Sequence, residues 1–280
     1  VKCLLVADLH YDLRKFDWVL AAALHVEVVV LAGDHLDAGS AVPRPAQVVI
    51  VEKYLRRIRE RTRLIVSSGN HDLDSRDAHG RLFTRWITRS RRFDVPTDGD
   101  SLVIDDTLFT ICPWHDAPTA SGAIAAHLAR DAATRPARWV WVHHAPPDRS
   151  PVSFDGRRSF GDEALRGWIE IYQPDLVLSG HIHQSPFRSG GSWADRIGRT
   201  WVFNAGHQIG PVPSHVAFDT AEPGAWWSSL AGSEQARLDT APDRPFPAMM
   251  QPPDWLIAMA RETAPVAADR QAGSYPPARG

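Results

Sequence analysis

Cysteine is almost missing from this chain: Cys3 and Cys112 are the only two in 280 residues. That excludes a disulfide framework and leaves no thiolate cluster for a structural zinc site. Lysine is nearly absent as well, limited to Lys2, Lys15 and Lys53 while arginine and alanine are abundant. Such a bias points to GC-rich coding, and arginine counts are discounted accordingly. No apolar run approaches the roughly 18 residues of a membrane-spanning helix. The charges nearly cancel, with a net −2 and an isoelectric point near 6.7. No global field therefore draws the chain to nucleic acid or to an acidic membrane surface. The first apolar run begins at once, with no leader-like segment ahead of it, and a cytoplasmic location is the expectation. There are no internal repeats.

What is present is enough for one large core, with 44% hydrophobic residues and 11 Trp. Helical spacing of Phe16, Val19, Leu20 and Ala23, and again of Val48, Val51, Leu55 and Ile58, alternates with short apolar runs. That pattern predicts an α/β fold. Leu165, Trp168, Ile169 and Tyr172 form a further helical stripe stopped by Pro174, and Leu176–Ser179 reads as a strand. The segments 200–204, 215–219 and 226–229 read as strands of an antiparallel second sheet. One domain is expected over 1–240. Clustered prolines mark 241–280 as an extension, broken by a short helix over 255–261 and disordered over its last 15 or so residues.

Polar donors follow the apolar runs in a fixed order: Asp8-Leu9-His10, Gly33-Asp34, Gly69-Asn70-His71-Asp72, His143-His144 and Gly180-His181-Ile182-His183. Residues two apart in an extended segment leave the same face, which pairs Asp8 with His10 and His181 with His183. The ends of buried strands are where open α/β sheets gather their ligands. Carboxylate, carboxamide and imidazole donors together select Mn, Fe, Zn, Co or Ni over Mg or Ca. Asp34 stands alone between the other blocks and is the candidate to bridge two cations. Spacing does not choose between His143 and His144 as the donor after the fourth run.

These five blocks, from residue 8 to residue 183, resemble the signature of the calcineurin-like metallophosphoesterases, the metallo-dependent phosphatase superfamily. The resemblance implies a four-layer α/β/β/α sandwich of two mixed sheets with a dinuclear metal centre at one edge. It further implies that Asp8, His10, Asp34 and His183 hold one ion, and that Asp34, Asn70, His143 and His181 hold the other. On the same footing His71 would protonate the leaving oxygen, with Asp72 as its partner.

The expected activity is hydrolysis of a small-molecule phosphate ester by metal-activated hydroxide, with diesters preferred by resemblance to small bacterial phosphodiesterases. A nuclease, a protein or nucleotide phosphomonoesterase, and a non-catalytic scaffold of the same fold are the alternatives. Substrate contacts are sought among Asn70, His35, His115, His144 and His207. If the segment after His71 is a helix, Arg81, Arg85 and Arg89 would share a face able to receive a phosphate-rich chain, nucleic acid being the less favoured partner. The ordinary reading of those arginines is a solvated face.

Overall fold

In Val28–Ala32 every residue is apolar, a pattern that suits a strand covered on both faces, and all five positions are buried. The structure is a computed structural model describing residues 1–78, 80, 82–115, 118–134 and 137–264. In chain order, β1 (Lys2–Val6), α1 (Leu13–Ala22), β2 (Val28–Ala32), α2 (Arg44–Arg59) and β3 (Arg63–Ser67) form the expected alternation. A small hairpin, β4 (Ser75–Arg76) and β5 (Leu82–Phe83), precedes the short α3 (Arg85–Thr88). Then come β6 (Ser101–Ile104), β7 (Thr107–Ile111), α4 (Pro118–Thr134), β8 (Arg138–Val142), α5 (Glu163–Tyr172) and β9 (Leu176–Ser179). The chain continues through β10 (Ala194–Ile197), β11 (Thr200–Asn204), β12 (His215–Asp219), β13 (Gly224–Ser229), β14 (Gly232–Arg237) and α6 (Asp254–Glu262).

Two six-stranded sheets result, ordered β14-β13-β12-β1-β2-β3 and β10-β11-β9-β8-β7-β6. Both are mixed: β1, β2 and β3 are parallel, as are β7, β8, β9 and β11, while the outer pairs are antiparallel. Alternation along each strand sorts the side chains into layers. Cys3, Leu5, Val28 and Val30 of one sheet meet Val140, Val142, Leu178 and Phe203 of the other in a shared core. Leu4, Val6, Val29 and Leu31 turn instead to α1, α2 and α6. Trp139, Trp141, Val177 and Val202 turn to α4 and α5. The four-layer α/β/β/α arrangement is therefore present. Phe203 and Phe218 face each other across the two sheets, ring centroids 5.8 Å apart, and burial of such a side chain is worth about 1.5–3 kcal/mol.

The later strands depart from expectation. Residues 200–204 pair parallel to β9, whereas β12 and β13 add to the first sheet, antiparallel beside β1. The long connection from Ser179 to Thr200 gives the chain room to return in the same direction, so neighbours in sequence need not form a hairpin. The helix expected over 255–261 is α6, and Leu256 and Met259 bury against the helical layer. Phe246 reaches the core between the sheets. The last 15 or so residues, for which disorder is expected, fall within 265–280 and lie outside the described residues, as do His79 and Arg81.

One buried titratable group in this frame gives a clean pH signature. His215 lies under Trp18, with ring centroids 4.6 Å apart, and its Nδ1 donates to the Pro213 carbonyl at 2.9 Å. Burial pushes its pKa down to about 4. The unfolded chain therefore takes up the proton first, and the stability held above about pH 6.5 is lost as pH falls toward 4. We expect about 3 kcal/mol to disappear across that window. Urea titrations at stepped pH should show it, and His215→Gln should flatten this part of the profile; an unchanged slope would refute the assignment.

Candidate metal centre

Each donor block sits just beyond the carboxyl end of a parallel strand. The ladder between β1 and β2 continues past their ends: Asp8 N–H donates to Gly33 O, His10 N–H to Asp34 O and Tyr11 N–H to His35 O, at 3.1, 3.0 and 2.9 Å. Four of the donor residues hold left-handed backbone, with φ of 55° at Asp8, 45° at His10, 55° at Asp34 and 68° at His181. That region costs a non-glycine residue of order 1–3 kcal/mol, and such strain collects at functional sites. The glycines of the motifs make the close approach possible. A Cβ on Gly69 would stand 2.2 Å from Asp34 Oδ1, one on Gly180 2.6 Å from Asp8 Oδ2, and one on Gly33 2.3 Å from His144 Nδ1.

The donors converge as three overlapping groups, Asp8 with His10 and His183, His10 with Asp34 and His71, and Asp34 with His144 and His181; in each, the ligand atoms lie within 4.8 Å of one another. Asp34 belongs to two of them. His10 Nε2 and His183 Nε2 are 3.0 Å apart. His183 Nε2 is 3.2 Å from Asp8 Oδ1, and His144 Nε2 is 3.3 Å from Asp34 Oδ2. Asn70 Oδ1 is buried without a hydrogen-bond partner.

The electrostatics call for positive charge. Asp8 and Asp34 are buried, and among the described residues no Arg or Lys forms an ion pair with either. Burial opposes ionisation of Asp8, but the bond and charge of His183 and the charge of His144 outweigh it and hold the carboxyl at about 2. Asp34 is likewise held well below the usual range, burial being outweighed chiefly by His144. His144 is buried yet raised to about 9 by Asp34 and Asp8, its proton supplying the positive charge that a cation beside those carboxylates would supply in its place. Burial pushes His10 and His181 down to about 4, leaving them neutral and able to ligate at pH 7. Two carboxylates, facing imidazole nitrogens and an unsatisfied amide oxygen fit a pair of divalent cations.

Several expectations require correction. His144, not His143, stands beside Asp34. Along β8, Val140 and Val142 face the other sheet whereas Trp139 and Trp141 face the helices. Continued alternation sends His144 to the first face and His143 to the second. His143 accordingly sits 3.8 Å from Asp162 at the start of α5, and His115 joins that second cluster. Asp72 does not partner His71. Its buried carboxylate accepts the backbone N–H groups of His35, Leu36 and Gly69 at 3.0, 3.1 and 2.9 Å, organising the loops after β2 and β3.

His35 is also buried and donates to Ser67 O at 2.9 Å, so it supports the loop rather than facing a substrate. The arginine face does not form as a helix, because β5 occupies Leu82–Phe83 and α3 holds only four residues. Arg89 and Arg92 pair with Glu52 and Arg91 pairs with Asp100, while Arg85 is exposed.

His71 and His207 do reach the site. The His71 ring lies edge-on to His10, centroids 4.7 Å apart, and its Nδ1 accepts the Ala38 N–H at 3.2 Å. His207 stacks near His183 at 4.7 Å, and its Nδ1 approaches the Asp8 carbonyl at 2.7 Å. Two neighbours were not anticipated. Lys15 is 2% exposed, with Nζ 3.3 Å from His207 Nδ1, and burial lowers its pKa to about 8. Its rarity in a chain nearly free of lysine was the available signal. Trp114 packs its ring against His144 and His181, at 5.6 and 5.0 Å, and no motif marks it.

A family model described as calcineurin-like phosphoesterase matches residues 1–185. Among solved structures, TT1561 of Thermus thermophilus is similar in fold, with a TM-score of 0.53 and 14% identity across 85% of this chain and 98% of that one. Purple acid phosphatase PPD1 from yellow lupin (Lupinus luteus) seeds gives a TM-score of 0.50 at 12% identity, across 86% of this chain and 52% of that one. No curated protein matches. Among the described residues, no helix is long and apolar enough to cross a membrane.

Proposed function

This chain belongs to the calcineurin-like phosphoesterase family, and on that footing we propose that it cleaves a small phosphodiester at a centre built from Asp8, His10, Asp34, Asn70, His144, His181 and His183. The observation that carries the reading is Asp34, a buried carboxylate shared by two convergent donor groups. In that centre Asp8, His10 and His183 would hold one cation and Asn70, His144 and His181 the other, with Asp34 between them. When bound, two divalent cations supply Lewis acidity toward a phosphoryl oxygen and a nucleophile at neutral pH.

The chain's own groups do the rest. Asp8 N–H and His181 N–H fix the loops: His181 N–H donates to Asp8 Oδ1 and Oδ2 at 3.2 and 3.1 Å, which sets the direction of that carboxylate. The Ala38 N–H on His71 Nδ1 leaves Nε2 as the nitrogen that carries a proton. From there His71 would donate a hydrogen bond to the charge developing on the departing oxygen, and a solvent proton completes the alcohol. Lys15, buried behind His207, adds one positive charge beside the Asp8 loop, which suits the single charge of a diester. Trp114 walls the side of His144 and His181 and keeps water from that face. A nuclease reading loses its main support with the arginine face.

Turnover of bis-p-nitrophenyl phosphate, p-nitrophenyl phosphate, cyclic nucleotides and single-stranded DNA with Mn tests the class. Diester turnover should lead, and inactivity on every substrate would overturn the proposal. His71→Gln should lower kcat by about 10²–10³-fold with metal content unchanged. Loss of metal from that variant would instead make His71 a ligand.

A further inference from the structure

We propose that His115, His143 and Asp162 form a separate divalent-cation site of the zinc type, clasping the loop after β7 to the end of β8 and the start of α5. The ligand atoms of these residues lie within 4.8 Å of one another. His115 Nε2 is 2.9 Å and His143 Nε2 3.8 Å from Asp162 Oδ2. Two atoms each 2.0–2.2 Å from a tetrahedral zinc stand roughly 3.3–3.6 Å apart, and the observed separations bracket that value.

The independent observation is His143. It is 1% exposed, its Nδ1 donates to the Ala145 carbonyl at 2.8 Å, and its Nε2 is buried with no hydrogen-bond partner. A carbonyl on one ring nitrogen is the arrangement that orients the other toward a metal. Left alone, that nitrogen would be stripped of water with no partner in exchange. Asp162 is held from behind as well, since its Oδ1 caps α5 by accepting Leu165 N–H at 2.9 Å. Three protein ligands leave a fourth position for water.

The site has a structural consequence for its neighbour. Trp114 adjoins His115, and its backbone N–H donates to Ser68 Oγ at 2.8 Å. An ion on His115 would anchor the Trp114 ring where it covers His144 and His181.

The test is metal content of tag-free, full-length protein after dialysis with excess zinc and then against metal-free buffer. The wild type should retain about three equivalents per chain, the number that one dinuclear and one mononuclear centre require. His115→Gln and Asp162→Asn should each lose one equivalent, Asn preserving the helix cap, with zinc affinity at the site down by at least about 100-fold. His144→Gln should empty the centre at Asp34 and keep the single equivalent here. In that background zinc should still raise the melting temperature, and adding His115→Gln should abolish the rise. A wild-type count of two that neither His115→Gln nor Asp162→Asn changes would overturn this site while leaving the dinuclear reading intact. Full metal content in His144→Gln would count against the dinuclear reading instead.

Discussion

Asp34→Asn is expected to reduce kcat by more than about 10³-fold and to strip the protein of metal together. The carboxylate is the one group common to the set with His10 and His71 and the set with His144 and His181. It also accepts the His71 N–H at 2.9 Å, so its position is locked by the loop that carries Asn70. An amide of the same size keeps that hydrogen bond but removes the charge that two cations would share. The fold should survive, because the two core layers do not depend on this side chain. Kinetics with a diester beside elemental analysis of the same sample would decide it; near-normal turnover with normal metal content would refute the shared-carboxylate assignment.

The second large effect is a contrast between adjacent residues. His144→Gln should lower kcat by more than about 10³-fold as the centre loses its metal, since its Nε2 meets Asp34 while its Nδ1 is held by Ala32 O at 2.6 Å. His143→Gln should cost less than about tenfold, because that ring points to Asp162 on the helical side of the sheet. Equal losses from both would mean that the two imidazoles serve one centre. The comparison is informative because both side chains are about 1% exposed, so burial alone cannot separate them.

The donor blocks and their strands were legible in the chain because an apolar run followed by a polar donor leaves few choices for where the side chain ends. The order of layers followed from the resemblance, and the helical stripes of Phe16 and Leu165 fall where spacing placed them. What could not be read was facing. His143 and His144 differ only in parity, and parity becomes meaningful once one knows that the valines of β8 look across to the other sheet and its tryptophans look to the helices. Asp72 followed the ordinary habit of a polar turn, turning inward to satisfy backbone N–H groups. The arginine segment failed for a local reason, since Leu82 and Phe83 pair with Arg76 and Ser75 before any helix can start.

Asp8, His10, Asp34 and Asn70 ride on one sheet, while His144, His181 and His183 ride on the other. The reactive rim is therefore a seam between two leaves, and its dimensions are those of the gap that Phe203, Phe218 and their neighbours fill. Any slip of one leaf against the other pulls the donors out of register before either leaf unravels, so on warming this chain would release its ions and fall silent while most of its strands are still intact.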